Sequence, residues 1–285
     1  MGVFAHPDDE SLLAGGVLAQ HAAAHSRTSV VTMTWAPDTP RAAELADALK
    51  ALGAGAPRML GYGDARDERS APGRERLVDA PLDQVIADLV QQLRTFRPDI
   101  VITHDALGQL TGHPDHRRTH QAVLLAVQDA PHAQLHPQAG EPWQPRAVYC
   151  ATHPESGVRD LRPLLEAVGK TVLAVPDAYV TTTVDVTSAV ESKWAAIVAH
   201  RGETARARSL PGILDRQPAD IRRRILATEY FTRHAAAPDR TARADLIGTG
   251  NSTDHVVLGE SALRRNIGGA AAMRGQLQGR EGRVN

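Results

Sequence analysis

The sequence has a single cysteine, few aromatic residues and almost no excess charge. Of its 285 residues, 4% are Phe, Trp or Tyr, and 32 Lys plus Arg face 33 Asp plus Glu. A lone cysteine excludes an intramolecular disulfide, and because Cys150 lies in an apolar run we expect it to be a buried small side chain. A net charge of -1 does not favour the broad basic surface that binds nucleic-acid phosphates, so we expect no nucleic-acid partner.

The sequence also lacks long apolar runs and a leader-like N-terminus. No stretch approaches the ~18 uninterrupted apolar residues of a membrane span, and residues 1–25 have no basic region followed by an apolar core. We therefore expect a cytoplasmic protein with no membrane span. The oligomeric state is left open, and a homo-oligomer is compatible with the sequence.

What the sequence does contain is an alternation of short β-branched runs with amphipathic helical segments, which is typical of βαβ units. The predicted strands are Gly2 to Ala5, Ser29 to Trp35, Arg58 to Leu60, Ile100 to His104, Ala147 to Thr152 and Thr182 to Val186. The predicted helices are Ser11 to Ala24, Arg41 to Leu52, Leu82 to Phe96, Arg117 to Val127 and Ser188 to Arg201. We therefore predict an α/β fold with a mostly parallel sheet and crossover helices.

Two segments without periodicity are predicted to be long loops that select the substrate. Asp64 to Arg76 is rich in charge, and Pro131 to Pro145 holds four prolines. The Gly, Ala and Arg mixture of Asn266 to Asn285 predicts a frayed tail or an interaction arm, because it buries little apolar surface. We divide the chain into one domain, residues 1–248, and a flexible C-terminal tail, residues 249–285.

Two short clusters of His and Asp follow predicted strands. Residues 5–10, AHPDDE, come directly after the first strand, and residues 112–116, GHPDH, follow the strand that ends at His104. Ligands gather at the carboxyl ends of parallel strands. The two loops are therefore expected to face one cavity.

His6, Asp9 and His116 are the predicted ligands of a zinc ion. Hydrolytic zinc sites typically take three ligands from His and Asp or Glu and leave one position for water, whose pKa falls to ~7. The spacing of His6 and Asp9 lets a tight turn at a helix start bring both side chains to one point. Asp8 is aimed differently and is the predicted general base on the metal-bound water. Because the same ligands accept Fe2+, iron is left open as the metal inside the cell.

His113 and Asp115 are the candidates for the far side of an amide hydrolysis. The tetrahedral intermediate carries an oxyanion and expels a poor amine leaving group, so the reaction needs a proton donor or a cation there. His113 is the predicted acid and oxyanion partner. Asp115 is expected to hydrogen-bond His113, which would fix the tautomer of His113 and raise its pKa.

Other interpretations of these residues stay open. Asp8 or Asp9 also suits the N-cap of the first helix, and the histidines of the second cluster suit ordinary polar loop positions. Two His and one carboxylate also describe the facial triad of a non-haem iron oxygenase, and a non-catalytic metal-binding scaffold is a further alternative. Late in the chain, His200 with Glu203 is equally suited to line the pocket or to tie a helix to the sheet.

The two clusters resemble the signatures of the LmbE-like, or PIG-L, family of zinc-dependent N-deacetylases. The likeness covers about residues 3–248, and residues 227–231 are most similar to the actinobacterial branch that deacetylates glucosaminyl-inositol or cleaves mycothiol conjugates. The resemblance implies a Rossmann-like, LmbE-like fold with helices on both faces of the sheet. It also implies the same roles for the zinc ligands, for Asp8 as the base and for His113 as the acid partner.

The resemblance implies a small-molecule N-acetylated amino-sugar substrate of the N-acetylglucosamine type, such as a glucosaminyl-inositol. A mycothiol-conjugate-type amidase and a deacetylase of an antibiotic or glycan sugar are the alternatives within the family. This chain departs from the branch pattern in having Thr111 where Tyr is frequent and Gly63 where Arg is frequent, and its first strand is short. The particular substrate is therefore left open.

Overall fold

A computed structural model describes residues 1–236 of the chain. Its strands are β1 (Gly2–Phe4), β2 (Val30–Thr34), β3 (Arg58–Tyr62), β4 (Ile100–His104), β5 (Ala147–Ala151), β6 (Thr182–Asp185) and β7 (Thr228–Ala235). The predicted domain boundary at residue 248 and the predicted tail, residues 249–285, lie outside the described residues.

These strands form one sheet in the order β3-β2-β1-β4-β5-β7-β6. The first five strands in the chain pair in parallel, whereas β7 lies antiparallel between β5 and β6. The chain runs outward from β1 through β2 to β3 and then resumes with β4 on the other side of β1. The topological switch point therefore lies between β1 and β4, where ligands bind in open α/β sheets.

Nine α-helices connect the strands in the described part of the chain. They are α1 (Asp9–Ala23), α2 (Pro40–Ala51), α3 (Leu82–Phe96), α4 (Pro114–Asp129), α5 (Arg162–Glu166), α6 (Val190–Ala199), α7 (Arg201–Thr204), α8 (Leu210–Asp215) and α9 (Ala219–Leu226). None of them, within residues 1–236, is long and apolar enough to cross a membrane.

Two apolar cores cover the two faces of the sheet. Successive side chains of a strand point to opposite faces, so Val3 packs with residues of α3 and α4, while Phe4 packs with residues of α1 and α2. Val101 and Ile102 in β4 divide between the same two cores. The predicted α/β fold, mostly parallel and with helices on both faces, is confirmed.

Strand β7 is the main element that the periodicity missed. Its sequence is TEYFTRHA, in which Glu229 is buried although it is charged. Glu229 accepts hydrogen bonds from the Lys193 ammonium at 2.7 Å and from the backbone N–H groups of Gly16 and Val17 at 2.7 and 3.0 Å. A buried carboxylate of this kind is satisfied only by tertiary contacts, so the local pattern of polar residues did not indicate a strand.

The loop at 131–145 does not lie where the sequence placed it. The Arg94 guanidinium donates hydrogen bonds to backbone carbonyls of this loop, including those of His132 and Leu135 at 2.8 and 2.9 Å. The loop leads into the start of β5, and the Arg146 N–H there donates to the Asp99 carbonyl before β4. It is therefore at the amino ends of the strands, which is the opposite edge of the sheet from the switch point and contrary to the expectation that it selects the substrate.

Cys150 lies within β5 and is buried, as the composition predicted. Burial raises the pKa of its thiol to about 12, and the charge of Asp105 acts in the same direction. The thiolate is therefore disfavoured, and Cys150 serves as a small core side chain.

Candidate active site

Two loops bring the predicted residues together at the carboxyl ends of β1 and β4. The first leads from β1 into His6, and α1 begins three residues later at Asp9. The second leaves β4 after His104 and ends where His113 caps the N-terminus of α4. Both clusters therefore lie between a strand end and a helix start, at the switch point of the sheet.

The three predicted metal ligands converge on one point. His6 Nδ1 lies 3.2 Å from Asp9 Oδ2 and 3.1 Å from His116 Nε2, and His116 Nε2 lies 3.3 Å from the other carboxylate oxygen, Asp9 Oδ1. Ligand atoms of a tetrahedral zinc ion at 2.0–2.1 Å are about 3.3 Å apart, so the observed spacing suits such an ion. All three side chains are buried, and two imidazole nitrogens that face one carboxylate form a donor set of the kind that suits a divalent cation.

Several His and Asp side chains surround this point, and their ligand atoms form overlapping groups within 4.8 Å. The groups are His6 with His113 and His116; His6 with Asp64, His113 and Asp115; and Asp9 with His104 and His116. His104 is not available as a ligand, because its Nε2 accepts the Ala5 N–H at 2.8 Å. Its ring instead stacks on that of His116, with centroids 4.1 Å apart, and so fixes the ring plane of this ligand.

The side chain of Asp115 contacts His6, a predicted metal ligand, and not the side chain of His113. Its Oδ2 lies 3.2 Å from His6 Nε2 and also accepts the Ala65 N–H at 2.9 Å. The same oxygen is 3.8 Å from His113 Nδ1, which is too far for a hydrogen bond. The expected side-chain hydrogen bond between Asp115 and His113 is therefore not formed, because the helix start turns the carboxylate toward His6.

The contact between His113 and Asp115 involves the backbone instead. His113 Nδ1 accepts the Asp115 N–H at 3.2 Å, as an N-cap side chain does. An accepting Nδ1 carries no proton, so the ring is neutral and its N–H is at Nε2. Burial, with the neighbouring His6 and His116, lowers the pKa of His113 to about 2, whereas the sequence led us to expect a raised pKa.

Asp8 occupies a strained backbone position beside the ligands. Its φ of 132° is rare for a residue with a side chain, and its N–H donates to the Glu10 carboxylate at 3.0 Å. Glu10 is itself bonded to His200 Nε2 at 2.7 Å, so the buried Glu10–His200 pair holds the turn in place. Burial raises the pKa of Asp8 to about 7, although the nearby Arg41 guanidinium opposes this rise.

Arg41 connects the site to α2 and α7. Its Nη2 lies 3.3 Å from the Asp8 carboxylate, its Nη1 bonds Glu203, and its guanidinium stacks on the Trp35 ring at 4.6 Å. Of the two roles that the sequence left open for His200 and Glu203, Glu203 takes the first, because it lines the cavity. His200 does not tie its helix to the sheet; it bonds Glu10 and so connects the end of α6 to α1.

A cavity of about 500 Å³ opens above these groups. Five of the six predicted site residues line it, and Asp115 lies behind them; the five are His6, Asp8, Asp9, His113 and His116. The predicted functional loop, 64–76, contributes Asp64, Arg66 and Asp67 to the wall. The volume suits a disaccharide-sized ligand.

The sequence did not identify several other residues that line the cavity, which are Leu165, Lys170, Arg206 and Arg208. These residues belong to short helices and loops that lack periodicity, so no local pattern could have indicated them. The sequence also indicated no role for His104 or Arg41. The position of His104 at the end of a strand was a signal that could have placed it near the ligands.

Comparison with known proteins gives the family. The model of the family described as PIG-L: GlcNAc-PI de-N-acetylase matches residues 1–127. A 1D-myo-inositol 2-acetamido-2-deoxy-alpha-D-glucopyranoside deacetylase of Rhodococcus jostii (strain RHA1) is 36% identical over 285 residues, covering 86% of this chain and 96% of the relative. A deacetylase of the same name from Rhodococcus opacus (strain B4) is 35% identical, with 80% and 89% covered.

Solved structures agree on the fold. The N,N'-diacetylchitobiose deacetylase of Pyrococcus horikoshii superimposes with a TM-score of 0.58 at 19% identity, covering 82% of this chain and 83% of that protein. The conserved protein TT1542 of Thermus thermophilus also gives a TM-score of 0.58, at 24% identity, with 85% and 98% covered. At these identities the likeness concerns the fold alone.

The sequence relatives confirm the predicted family and the predicted N-deacetylase class. The buried group of His and Asp side chains at the switch point is compatible with a metal site, as that class requires. On its sequence similarity over nearly the whole length of its relatives, the chain belongs to the PIG-L family of de-N-acetylases.

Proposed function

We propose that this protein is a zinc-dependent hydrolase that removes the N-acetyl group from 1D-myo-inositol 2-acetamido-2-deoxy-α-D-glucopyranoside. The substrate is the one in the names of the two Rhodococcus relatives, whose length this chain nearly covers. One structural observation carries the proposal. His6 Nδ1 and His116 Nε2 lie 3.1 Å apart, and each lies within 3.3 Å of one carboxylate oxygen of Asp9, beside Asp8 on the wall of a cavity that suits a disaccharide.

His6, Asp9 and His116 would hold the metal. When bound, a zinc ion polarises an amide carbonyl and lowers the pKa of water. Asp115 acts behind this set, because its carboxylate accepts a hydrogen bond from His6 Nε2 and so leaves Nδ1 free to bind the metal. This assignment replaces the role of Asp115 as a partner of His113.

Asp8 is the general base in this scheme. It lines the cavity, but its carboxylate pairs with Arg41 and does not join the three ligands. Its carboxylate accepts a proton from the attacking water and transfers that proton to the amide nitrogen of the substrate as the C–N bond breaks. The products are acetic acid and the free amine, and transfer of the acid's proton to the amine gives acetate and the ammonium form, so atoms and charge balance.

His113 stabilises the oxygen of the acetyl group. Because its Nδ1 accepts the Asp115 N–H, the proton of the neutral ring is at Nε2, from which it donates to a developing oxyanion. A neutral ring is a hydrogen-bond donor but a poor acid. We therefore keep the oxyanion part of the predicted role and assign delivery of the proton to Asp8.

The test is to incubate zinc-loaded protein anaerobically with the proposed substrate, without 2-oxoglutarate, and to measure acetate and free amine together. The proposal requires equal amounts of both products. Release that depends on oxygen would instead support an iron oxygenase. Stoichiometric metal with no turnover of any N-acetylglucosaminide would support a non-catalytic scaffold, and N,N'-diacetylchitobiose in the same panel tests for a glycan deacetylase.

A further inference from the structure

The buried imidazole of His104 contacts two parts of the candidate metal site, although it is not one of the predicted ligands. Its Nε2 accepts the N–H of Ala5, the residue before His6, at 2.8 Å. Its ring stacks on that of His116, with centroids 4.1 Å apart and planes inclined by 17°. Because His6 and His116 are both predicted ligands, a shift of the His104 ring would disturb two ligands at once.

The other nitrogen of His104 is held by Gln109. Gln109 Oε1 lies 2.5 Å from His104 Nδ1, and Gln109 Nε2 donates to the carbonyl of Ala151 at 2.5 Å. Ala151 is the last residue of β5 and pairs with His104 at the end of β4. The side chains of Gln109 and His104 are both buried. The amide of Gln109 therefore fixes the His104 ring relative to the ends of two strands.

The polarity of these contacts determines which nitrogen of His104 carries the proton. The Ala151 carbonyl only accepts, so the amide turns its oxygen to Nδ1, which must donate. The Ala5 N–H only donates, so Nε2 must accept. The other tautomer would direct an Nε2 proton toward Asp9 Oδ2, 3.5 Å away, but it would oppose two donors at Ala5 and two acceptors at Gln109. Two independent contacts thus require the same Nδ1–H form.

The backbone around Gln109 is strained and well supported. Gln109 has a φ of 58°, which is uncommon for a residue with a Cβ, and it follows Gly108 with a φ of 79°. The Asp105 carboxylate holds this turn, because Oδ1 accepts the Gln109 N–H at 2.9 Å and Oδ2 accepts the Thr152 hydroxyl at 2.8 Å. Gln109 also lines the cavity. A strained position that its surroundings hold in this way is typical of functional sites.

We propose that Gln109 is a positioning residue for the metal site, which acts through His104 on two of the three predicted ligands. In the described part of the chain, the hydrogen bonds of its amide go to His104 and Ala151 and not to a ligand. The amide holds the ring that supports the turn before His6 and the ring plane of His116. This inference rests on the proposed function for the identity of the ligands, but metal affinity is measurable without turnover.

The first measurement is the tautomer of His104 in the metal-free protein. A long-range proton–nitrogen correlation spectrum of protein with isotope-labelled histidine distinguishes Nδ1–H from Nε2–H. The spectrum of His104→Phe identifies the signals of this ring among the 13 histidines. We expect the neutral Nδ1–H form. The Nε2–H form would overturn the inference, because Gln109 Oε1 would then have no proton to accept. This measurement needs no variant at Gln109, so it decides the matter even if such a variant does not fold.

The second measurement is the zinc Kd of Gln109→Leu from competition with a chelator. We expect zinc to bind about tenfold more weakly, because the His104 ring loses its amide partner. The visible absorption of the Co2+-loaded protein, which depends on ligand geometry, should change as well. Gln144→Leu is the matched control, since the Gln144 amide also donates to backbone carbonyls but lies before the start of β5. The control should retain both the zinc Kd and the spectrum.

A double-variant cycle tests whether Gln109 acts through His104. His104→Phe keeps an aromatic ring beside His116 but has no nitrogen for the amide. Adding Gln109→Leu to His104→Phe should therefore weaken zinc binding by less than about twofold more. The same loss from Gln109→Leu in both backgrounds would show a general effect on the loop and would overturn the inference. A zinc Kd that Gln109→Leu leaves unchanged in the otherwise native protein would also overturn it.

Acetate release separates this inference from the proposed function. If Gln109→Leu binds zinc as tightly as the unaltered protein, and the unaltered protein releases acetate, the positioning role fails while the deacetylase stands. If the zinc affinities follow the expected cycle but the unaltered protein releases no acetate from any N-acetylglucosaminide, the positioning role stands and the proposed function fails.

Discussion

The carboxylate of Asp115 lies 3.2 Å from His6 Nε2, while Nδ1 of the same ring faces Asp9 and His116. The two nitrogens of His6 therefore have separate partners, and in the proposed metal site Nε2 would carry the proton while Nδ1 offers its lone pair to the metal. This is the carboxylate–histidine–metal arrangement that fixes the tautomer of a ligand and raises its basicity.

Asp115→Asn should weaken metal binding about 10- to 100-fold, because the amide no longer offers a charged acceptor to His6. The measurement is the zinc Kd from competition with a chelator. Asp67→Asn is the control, since Asp67 lines the cavity but pairs with Arg69 at 3.0 Å instead of with a ligand. A zinc Kd that is the same in Asp115→Asn and in the control would refute the role of Asp115.

Asp8→Asn should retain zinc and lose most of its hydrolysis. Loss of a general base lowers kcat by about 10²- to 10⁴-fold, and Asp8 is not among the three ligands. His6→Ala is the contrasting variant, and it should lose both the metal and the activity. Zinc content by mass spectrometry and acetate release, measured on the same samples, check both expectations. Full activity in Asp8→Asn would show that Asp8 is not the general base.

His113→Asn separates the helix cap from the chemistry at this position. Asn retains an oxygen that accepts the Asp115 N–H, so the melting temperature should not change, but it lacks the Nε2–H of histidine. We expect kcat to fall about 10²- to 10³-fold, as on removal of an oxyanion donor. If kcat were unchanged while the cap is retained, His113 would have only a structural role.

The sequence predicted the parts of the fold that depend on local patterns. The apolar runs of β1 to β5 and the periodicity of α3 placed these elements within two residues of their observed bounds. Both His-Asp clusters were placed at strand ends because parallel sheets put ligands there. The six predicted site residues accordingly come together in the folded protein.

What the sequence could not predict depends on contacts between distant residues. Asp115 was assigned to His113 because the two are neighbours in the chain, but the start of α4 turns its carboxylate to His6, 109 residues away. Lys170 and Arg208 lie far apart in the chain and come to line one cavity only in the folded protein. Strand β7 could not be predicted for the same reason, because its buried Glu229 is paired with Lys193 in α6, a contact that only the folded chain makes.

Lys193→Met should destabilise the fold by about 3–5 kcal/mol, because it leaves the charge of Glu229 buried without its cation. Both side chains are only 2% exposed, and their polar atoms are 2.7 Å apart. The free energy of unfolding from urea titration measures the effect, with the exposed Lys50→Met as the control, for which we expect a change within about 0.5 kcal/mol.

The double variant Lys193→Met with Glu229→Gln removes both charges and should recover part of the lost stability. If the free energy of unfolding of Lys193→Met equals that of the control Lys50→Met, the buried pair does not hold β7 to the helices.

The most direct test of the account is a zinc titration of the metal-free protein, in which bound zinc and acetate release from the N-acetylglucosaminyl-inositol are followed in the same samples. If His6, Asp9 and His116 bind the catalytic ion, both signals rise together and saturate at one equivalent of zinc per chain, and neither rises in His6→Ala. Acetate release before zinc is added, or zinc bound at one equivalent with no acetate release, would contradict the account.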